Sequence, residues 1–238
     1  MFCSKKRTQR PCLPSFNIEV MLFKTRFPSF AKNPFHMQYP SQFWDERYGQ
    51  AEYVYGTHPN DFFKEQLDAM PSTGKLLLLA EGEGRNAVYA AGRGWQVTAV
   101  DFSEKGREKA LALAASRGLQ LDYHVGDVAQ FDFEKWGPFD AIGLIYSHFP
   151  PAVRAAVFPK CLSSLAPGGR IILELFTPGQ LNLQSGGPKD LGLLYSAAQA
   201  RADFAEAGSL HAEELEIELD EGPHHRGPAA VVRAVAVR

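Results

Sequence analysis

Acidic side chains and a pair of glycines recur in this 238-residue chain at points where a polar ligand could be held. The segment Glu81-Gly82-Glu83-Gly84-Arg85-Asn86 follows an apolar run and precedes a helical pattern. Glycines there let a ligand approach the main chain, and a helix start offers N–H groups that have no partner inside the helix. Asp101 closes the next strand-like run, nineteen positions after Gly82, where a carboxylate can accept from both hydroxyls of a ribose. Asp127, in Gly126-Asp127-Val128, lies just past a third short run. A carboxylate at that point can reach an adenine amino group, and Val128 after it can line the ring. Each has a plainer reading when taken singly: the glycines as a left-handed turn, the aspartates as caps or loop residues. Their recurrence at three successive strand ends favours nucleoside binding. G-x-G-x-x-G lacks its third glycine here, which disfavours a dinucleotide pyrophosphate.

Two histidines could move a proton near neutral pH. His148, in Ser147-His148-Phe149-Pro150, follows a fourth strand-like run, and His225 sits in the turn-rich segment Glu221–Gly227 with His224 and Arg226. Either could act as a general base, or could be an exposed histidine with no role. The nucleophile decides whether a base is needed at all.

These residues need a scaffold of alternating strands and helices. Lys75–Ala80, Gln96–Val100, Leu121–Val125, Asp140–Tyr146 and Arg170–Phe176 read as strands. Helices are expected from about Gly84 to Arg93, from a Ser103 cap to Arg117, and from Pro151 to Leu165. Ser196 with Gln199 is a capping box for a helix through Ala207. Glu214–Asp220 and Ala230–Val237 then follow with no helix between them, so a mostly parallel sheet should end in an antiparallel hairpin. Ahead of the sheet, residues 41–70 read as a helical appendage, with Pro59-Asn60-Asp61 capping the helix Phe62–Met70. Its Trp44, Tyr48, Tyr53 and Tyr55 could form a lid or simply pack the appendage down.

Composition narrows the partners. Residues 1–36 hold seven basic side chains against one acidic, which leaves 18 basic against 26 acidic in the remainder. An acidic body is a poor match for nucleic acid, and no apolar run approaches the roughly 20 residues that span a membrane. Cys3, Cys12 and Cys161 form no C-x-x-C and no zinc spacing, which suits a reducing compartment, the cytoplasm, and argues against a structural metal. Residues 1–36 read as a basic, disordered leader, an address segment or an upstream start, with the domain proper running over 37–238 and its appendage over 37–72.

Several motifs in order carry a family resemblance over about Met37 to Arg238. Leu76–Asn86 (LLLLAEGEGRN), Val97–Ser103 (VTAVDFS), Ser147–Pro150 (SHFP) and Leu165–Gly169 (LAPGG) resemble class I SAM-dependent methyltransferases, SAM being S-adenosylmethionine. Phe43–Tyr48, Tyr53–Asn60, Leu173–Gln180, Gly186–Pro188 and Glu221–Gly227 are similar to small bacterial enzymes related to the tellurite-resistance methyltransferase. The resemblance implies a Rossmann-like α/β fold: a seven-stranded sheet in the order 3-2-1-4-5-7-6, helices on both faces and SAM across the carboxyl ends of strands one to four. It implies that Ala80, Glu81, Gly82 and Gly84 cradle the methionine part, Asp101 holds the ribose, Phe102 flanks the adenine, and Asp127 with Val128 meets its edge. Ser147, His148 and Phe149 would stand beside the methyl group, and the acceptor would be a small molecule. The chain departs from the family where an acid and a third glycine are usual, having Leu78 and Ala80; Glu81 or Glu83 would then orient the amino group. The alternatives are a non-catalytic SAM-binding module and a nicotinamide-dependent oxidoreductase.

Overall fold

The computed structural model describes Met1 and residues 41–238; the basic leader, Cys3, Cys12 and the expected domain start near Met37 lie outside the described residues. Two short helices come first, α1 (Ser41–Tyr48) and α2 (Asp61–Asp68). The alternating part follows: β1 (Lys75–Leu79), α3 (Arg85–Gly92), β2 (Gln96–Asp101), α4 (Glu104–Ser116), β3 (Asp122–Val125), α5 (Phe133–Trp136), β4 (Phe139–Ile145), α6 (Pro151–Ser163), β5 (Leu165–Phe176) and α7 (Ala197–Asp203). The hairpin β6 (Ser209–Asp220) and β7 (Arg226–Val237) closes the chain.

Local chemistry explains most boundaries. Asn60 caps α2 by accepting from the Phe63 N–H, and Ser103 caps α4 through Gly106 N–H. Pro151, fixed in φ and without an N–H, opens α6 at its first position. The Ser196–Gln199 capping box forms in both directions. The 41–70 appendage consists of two helices separated by a loop, the second starting at the expected Asn60 cap.

The seven strands lie in the order β3-β2-β1-β4-β5-β7-β6, the order that the resemblance implies. β1 to β5 pair in parallel, and β7 runs antiparallel to both β5 and β6. Because β1 is buried on both faces, its side chains alternate between two cores. Leu77 and Leu79 meet Val153, Val157 and Phe158 of α6, while Leu76 and Leu78 meet Phe62, Phe63, Ala87 and Ala110 from α2, α3 and α4. The strand order reverses direction between β1 and β4. At such a point the connections diverge to opposite faces and leave a crevice at the carboxyl ends of the strands.

Candidate active site

A cavity of about 430 Å3 occupies that crevice, within the range of small-molecule sites. Its floor is main chain held under strain. Ala80 and Tyr146, the residues that follow β1 and β4, have φ of 55° and 51°, a left-handed conformation that residues with a Cβ adopt reluctantly. Gly82 adopts φ 62°, and a Cβ there would lie 2.7 Å from the Tyr48 hydroxyl. The hydroxyl of Tyr123 donates to Gly82 O at 2.6 Å and braces the turn.

Asp101 ends β2 at the same lip, 7% exposed. Its Oδ2 accepts from Gly82 N–H and its Oδ1 from Ser103 N–H, both at 2.9 Å. The Phe102 N–H also supports the carboxylate, and a carboxylate with about four acceptor sites still has capacity left for a ligand. Burial pushes its carboxyl up to about 6, against the lowering effect of those backbone bonds. Glu81 lines the same wall and accepts from Ala87 N–H at 2.7 Å; burial raises it to about 7. Glu83 does a different job: it accepts from Val54 and Tyr55 N–H (2.8 and 3.3 Å) and pairs with Lys109 at 2.7 Å, tethering the appendage to the sheet domain.

Ala80, Glu81, Gly82, Asp101, Phe102, Val128, Ser147, His148 and His225 all come together on the cavity wall. Gly84 and Asp127 do not line it. At Gly84 a Cβ would stand 2.5 Å from that of Ala110, so this glycine permits close packing of α3 on α4. Asp127 accepts from Ala129 N–H at 2.9 Å and caps a short turn, leaving Val128 to face the cavity. Of the three residues His224–Arg226, only His225 lines the wall; Arg226 pairs with Asp220 in solvent. Since β6 and β7 are antiparallel and β7 opposes β5, β6 runs with the parallel strands and delivers the Glu221–His225 turn to the cavity side.

The roof comes from α1. Trp44 stacks on Tyr48 (5.6 Å), and Arg47 bonds the Tyr55 hydroxyl at 2.8 Å. Asp45 anchors the helix by accepting from Ser103 Oγ and Lys105 N–H. Tyr48 and Tyr55 line the cavity, whereas Tyr53 reaches away to Lys109 O.

The inner end is an aromatic wall. His148 lies parallel to Phe176 (5.5 Å, 5°), Tyr146 stacks on Phe176 (4.7 Å), and His225 meets Tyr146 and Tyr55, each at 4.5 Å. Behind it runs a buried polar cluster. Asn60 donates to both Glu174 (2.6 Å) and Glu221 (2.8 Å), Arg85 pairs with Glu221 at 3.0 Å, and Glu174 also accepts from Tyr146 and Arg233. Nothing in the spacing of Asn60, Glu174 and Glu221 along the chain announces this junction; Asn60 reads only as a helix cap.

These residues suit a SAM-sized ligand. The bare main chain of Gly82 lies on the cavity wall, Asp101 offers a buried carboxylate beside it, and Ser147 Oγ and His148 Nε2 are buried with no hydrogen-bond partner. Comparison with known proteins agrees. Residues 76–169 match the model of a methyltransferase domain. A ubiquinone biosynthesis O-methyltransferase of Xanthomonas axonopodis pv. citri is 29% identical over 147 residues, 60% of this chain and 61% of that one. The chain thus spans about three fifths of the length of that relative. Among solved structures, magnesium protoporphyrin IX methyltransferase (ChlM) from Synechocystis PCC 6803 superposes with a TM-score of 0.61 at 17% identity, covering 83% of this chain and 97% of that one. TehB from Haemophilus influenzae gives 0.59 at 14% identity, covering 83% and 66%. Residues 76–169 thus match a methyltransferase domain, and the seven-stranded body around them shares the fold of these methyltransferase structures.

Proposed function

We propose that this protein transfers a methyl group from SAM to a small-molecule acceptor in the cavity at the β1–β4 crevice. The observation that carries this reading is Asp101, a buried carboxylate held by Gly82 and Ser103 N–H at the lip of that cavity. Asp101 takes the ribose hydroxyls, Phe102 and Val128 enclose the adenine, and the main chain of Ala80–Gly82 meets the methionine part. Glu81 is the acid left to orient the amino group, because Glu83 is committed to Lys109 and the appendage. Gly84 and Asp127 support the site from behind it.

When bound, SAM supplies an electrophilic methyl carbon and leaves as a neutral thioether. The chain's own contribution is alignment and exclusion of water: α1 covers the cavity and the aromatic wall dries its inner end. The O-methyltransferase relatives support a small acceptor, and the acidic body gives nucleic acid no footing. Among the described residues no helix is long and apolar enough to cross a membrane, and buried Cys161 is free, which fits a cytoplasmic protein.

Calorimetry with SAM and S-adenosylhomocysteine tests the binding half, and release of S-adenosylhomocysteine in the presence of an acceptor tests the transfer. Binding without turnover across a broad acceptor panel would leave a non-catalytic SAM-binding module. Failure of both ligands to bind would refute the reading.

A further inference from the structure

Asn60 is buried where four elements meet, and all three of its N–H bonds are in use. Its Oδ1 accepts from Phe63 N–H at 2.9 Å and caps α2. The two protons of its side-chain amide go to Glu174 Oε1 at 2.6 Å and Glu221 Oε1 at 2.8 Å. Its main-chain N–H goes to Asn86 Oδ1 at 2.9 Å, and its carbonyl accepts from Lys64 N–H. Asn86, in the first turn of α3, is buried on the cavity wall, and its side chain also supports the Glu81 carboxylate. A buried chain of hydrogen bonds therefore runs from Glu81 through Asn86 and Asn60 to Glu174 and Glu221.

Both ends of that chain reach the cavity. Glu81 lies on the wall beside the glycine turn. At the other end Glu174 Oε1 accepts from the Tyr146 hydroxyl at 2.7 Å, and Glu221 Oε2 lies 3.3 Å from His225 Nδ1. Tyr146 and His225 both line the cavity. Neither glutamate can move without giving up a bond to Asn60, and Asn60 cannot follow without uncapping α2 or leaving Asn86. A buried network with its donors satisfied holds one arrangement and is costly to leave part-made. Arg85 is the charged side chain that acts on Glu81, but its bonds go to Tyr55 O and Glu221. Asn86 therefore carries the link to α2.

We propose that Asn86 and Asn60 couple the two ends of the cavity, so that an ammonium set against Glu81 firms both the α2 cap and the Glu174–Glu221 pair that positions Tyr146 and His225. This rests on the methyl-transfer reading above, in which that ammonium belongs to the methionine part of the cofactor. With no cation beside it, Glu81 is divided between charged and neutral forms near neutral pH, since burial raises it to about 7. An adjacent ammonium keeps it ionised, and a charged acceptor holds an amide N–H more strongly than a neutral one. Asn86 and Asn60 are thus held most firmly when the cofactor is bound, and the acceptor meets a finished wall. The order of binding follows: cofactor first, acceptor second. Both asparagines act through other residues and are positioning residues.

Hydrogen exchange followed by NMR on the full chain tests this, with S-adenosylhomocysteine and 5′-methylthioadenosine each at saturation. The two share a nucleoside and a thioether, but the second has no ammonium. S-adenosylhomocysteine is expected to slow exchange at the Asn60, Phe63 and Lys64 amides by about tenfold or more, and 5′-methylthioadenosine to leave them near the free rate. S-adenosylhomocysteine should also slow the Nε–H of Arg233, a residue off the cavity wall that bonds Glu174 Oε2 at 2.6 Å. Asn60→Ser keeps a capping oxygen but has no amide protons, so the α2 amides should still respond while Arg233 does not. Asn86→Ala saturated with S-adenosylhomocysteine should lose the response at both places. Equal slowing by the two ligands would overturn the proposal, as would bound S-adenosylhomocysteine that slows none of these groups. So would an unaltered response in Asn86→Ala, or an Arg233 response that survives in Asn60→Ser. The comparison of ligands on the wild type stands even where a variant fails to fold. Failure of S-adenosylhomocysteine to bind the wild type would instead count against methyl transfer itself.

Discussion

Acidification should weaken nucleoside binding through one carboxylate. Asp101 is raised by burial to about 6, so its ionised form dominates at pH 8 and is lost as the pH falls through that value. At pH 5, one unit below, only about one molecule in eleven keeps it ionised. If the ribose hydroxyls donate to the ionised form, the apparent Kd for S-adenosylhomocysteine rises about tenfold between pH 8 and pH 5. Asp101→Asn removes the titration and weakens binding at pH 8 by about 1.5–3 kcal/mol, at least tenfold, because a hydrogen bond to a charge becomes one to an amide. The same change leaves one of the Gly82 and Ser103 N–H groups facing an amide NH2, which costs about 1–3 kcal/mol of stability, so folding is checked by circular dichroism at each pH. Glu81, raised to about 7, titrates in the same window. Glu81→Gln run in parallel removes its share. Calorimetry at four pH values decides the matter: a wild-type Kd that is flat from pH 5 to 8, or an Asp101→Asn variant that binds as tightly as wild type, would refute the assignment.

Other substitutions test the scaffold. Gly84→Ala puts a Cβ 2.5 Å from that of Ala110 at φ 86° and should cost about 2–5 kcal/mol in urea denaturation, from overpacking plus left-handed backbone. Asn60→Asp sets a third carboxyl against Glu174 and Glu221. It should lower stability by about 3–5 kcal/mol at pH 7, with part of the loss recovered toward pH 5 as the carboxyls share protons; Tm against pH reads this out. Ala80→Gly relaxes a strained φ of 55° and should raise stability by a few tenths to about 1 kcal/mol, the relief outweighing the added freedom of the unfolded chain.

How legible the chain was depends on the range of the interactions involved. Apolar runs and caps are local, and Ser103, Ser196 and Asn60 sit at the helix starts that their side chains favour. The hairpin was read too short. Its strands begin at Ser209 and Arg226 rather than Glu214 and Ala230, because β6 is an edge strand that is largely exposed and main-chain pairing extends it without an apolar pattern. Pro228 near the start of β7 further disguised that strand. Gly84 looked like part of a ligand turn, and only the position of α4 shows that its missing side chain makes room for Ala110.

The succession of strands and helices and the carboxylate at the end of β2 follow from the sequence by itself, since strand length, alternation and strand-end residue types are written in consecutive positions, whereas the spatial order of the strands was implied only by the family resemblance. Tertiary structure alone decided which histidine has an acid behind it and which of the two cavity-lining glutamates is tied to Lys109 and the appendage. It alone brought Asn60 between Glu174 and Glu221, 114 and 161 positions away. Such contacts depend on where separate elements pack, and a buried charge takes its character from neighbours that the chain supplies from far away.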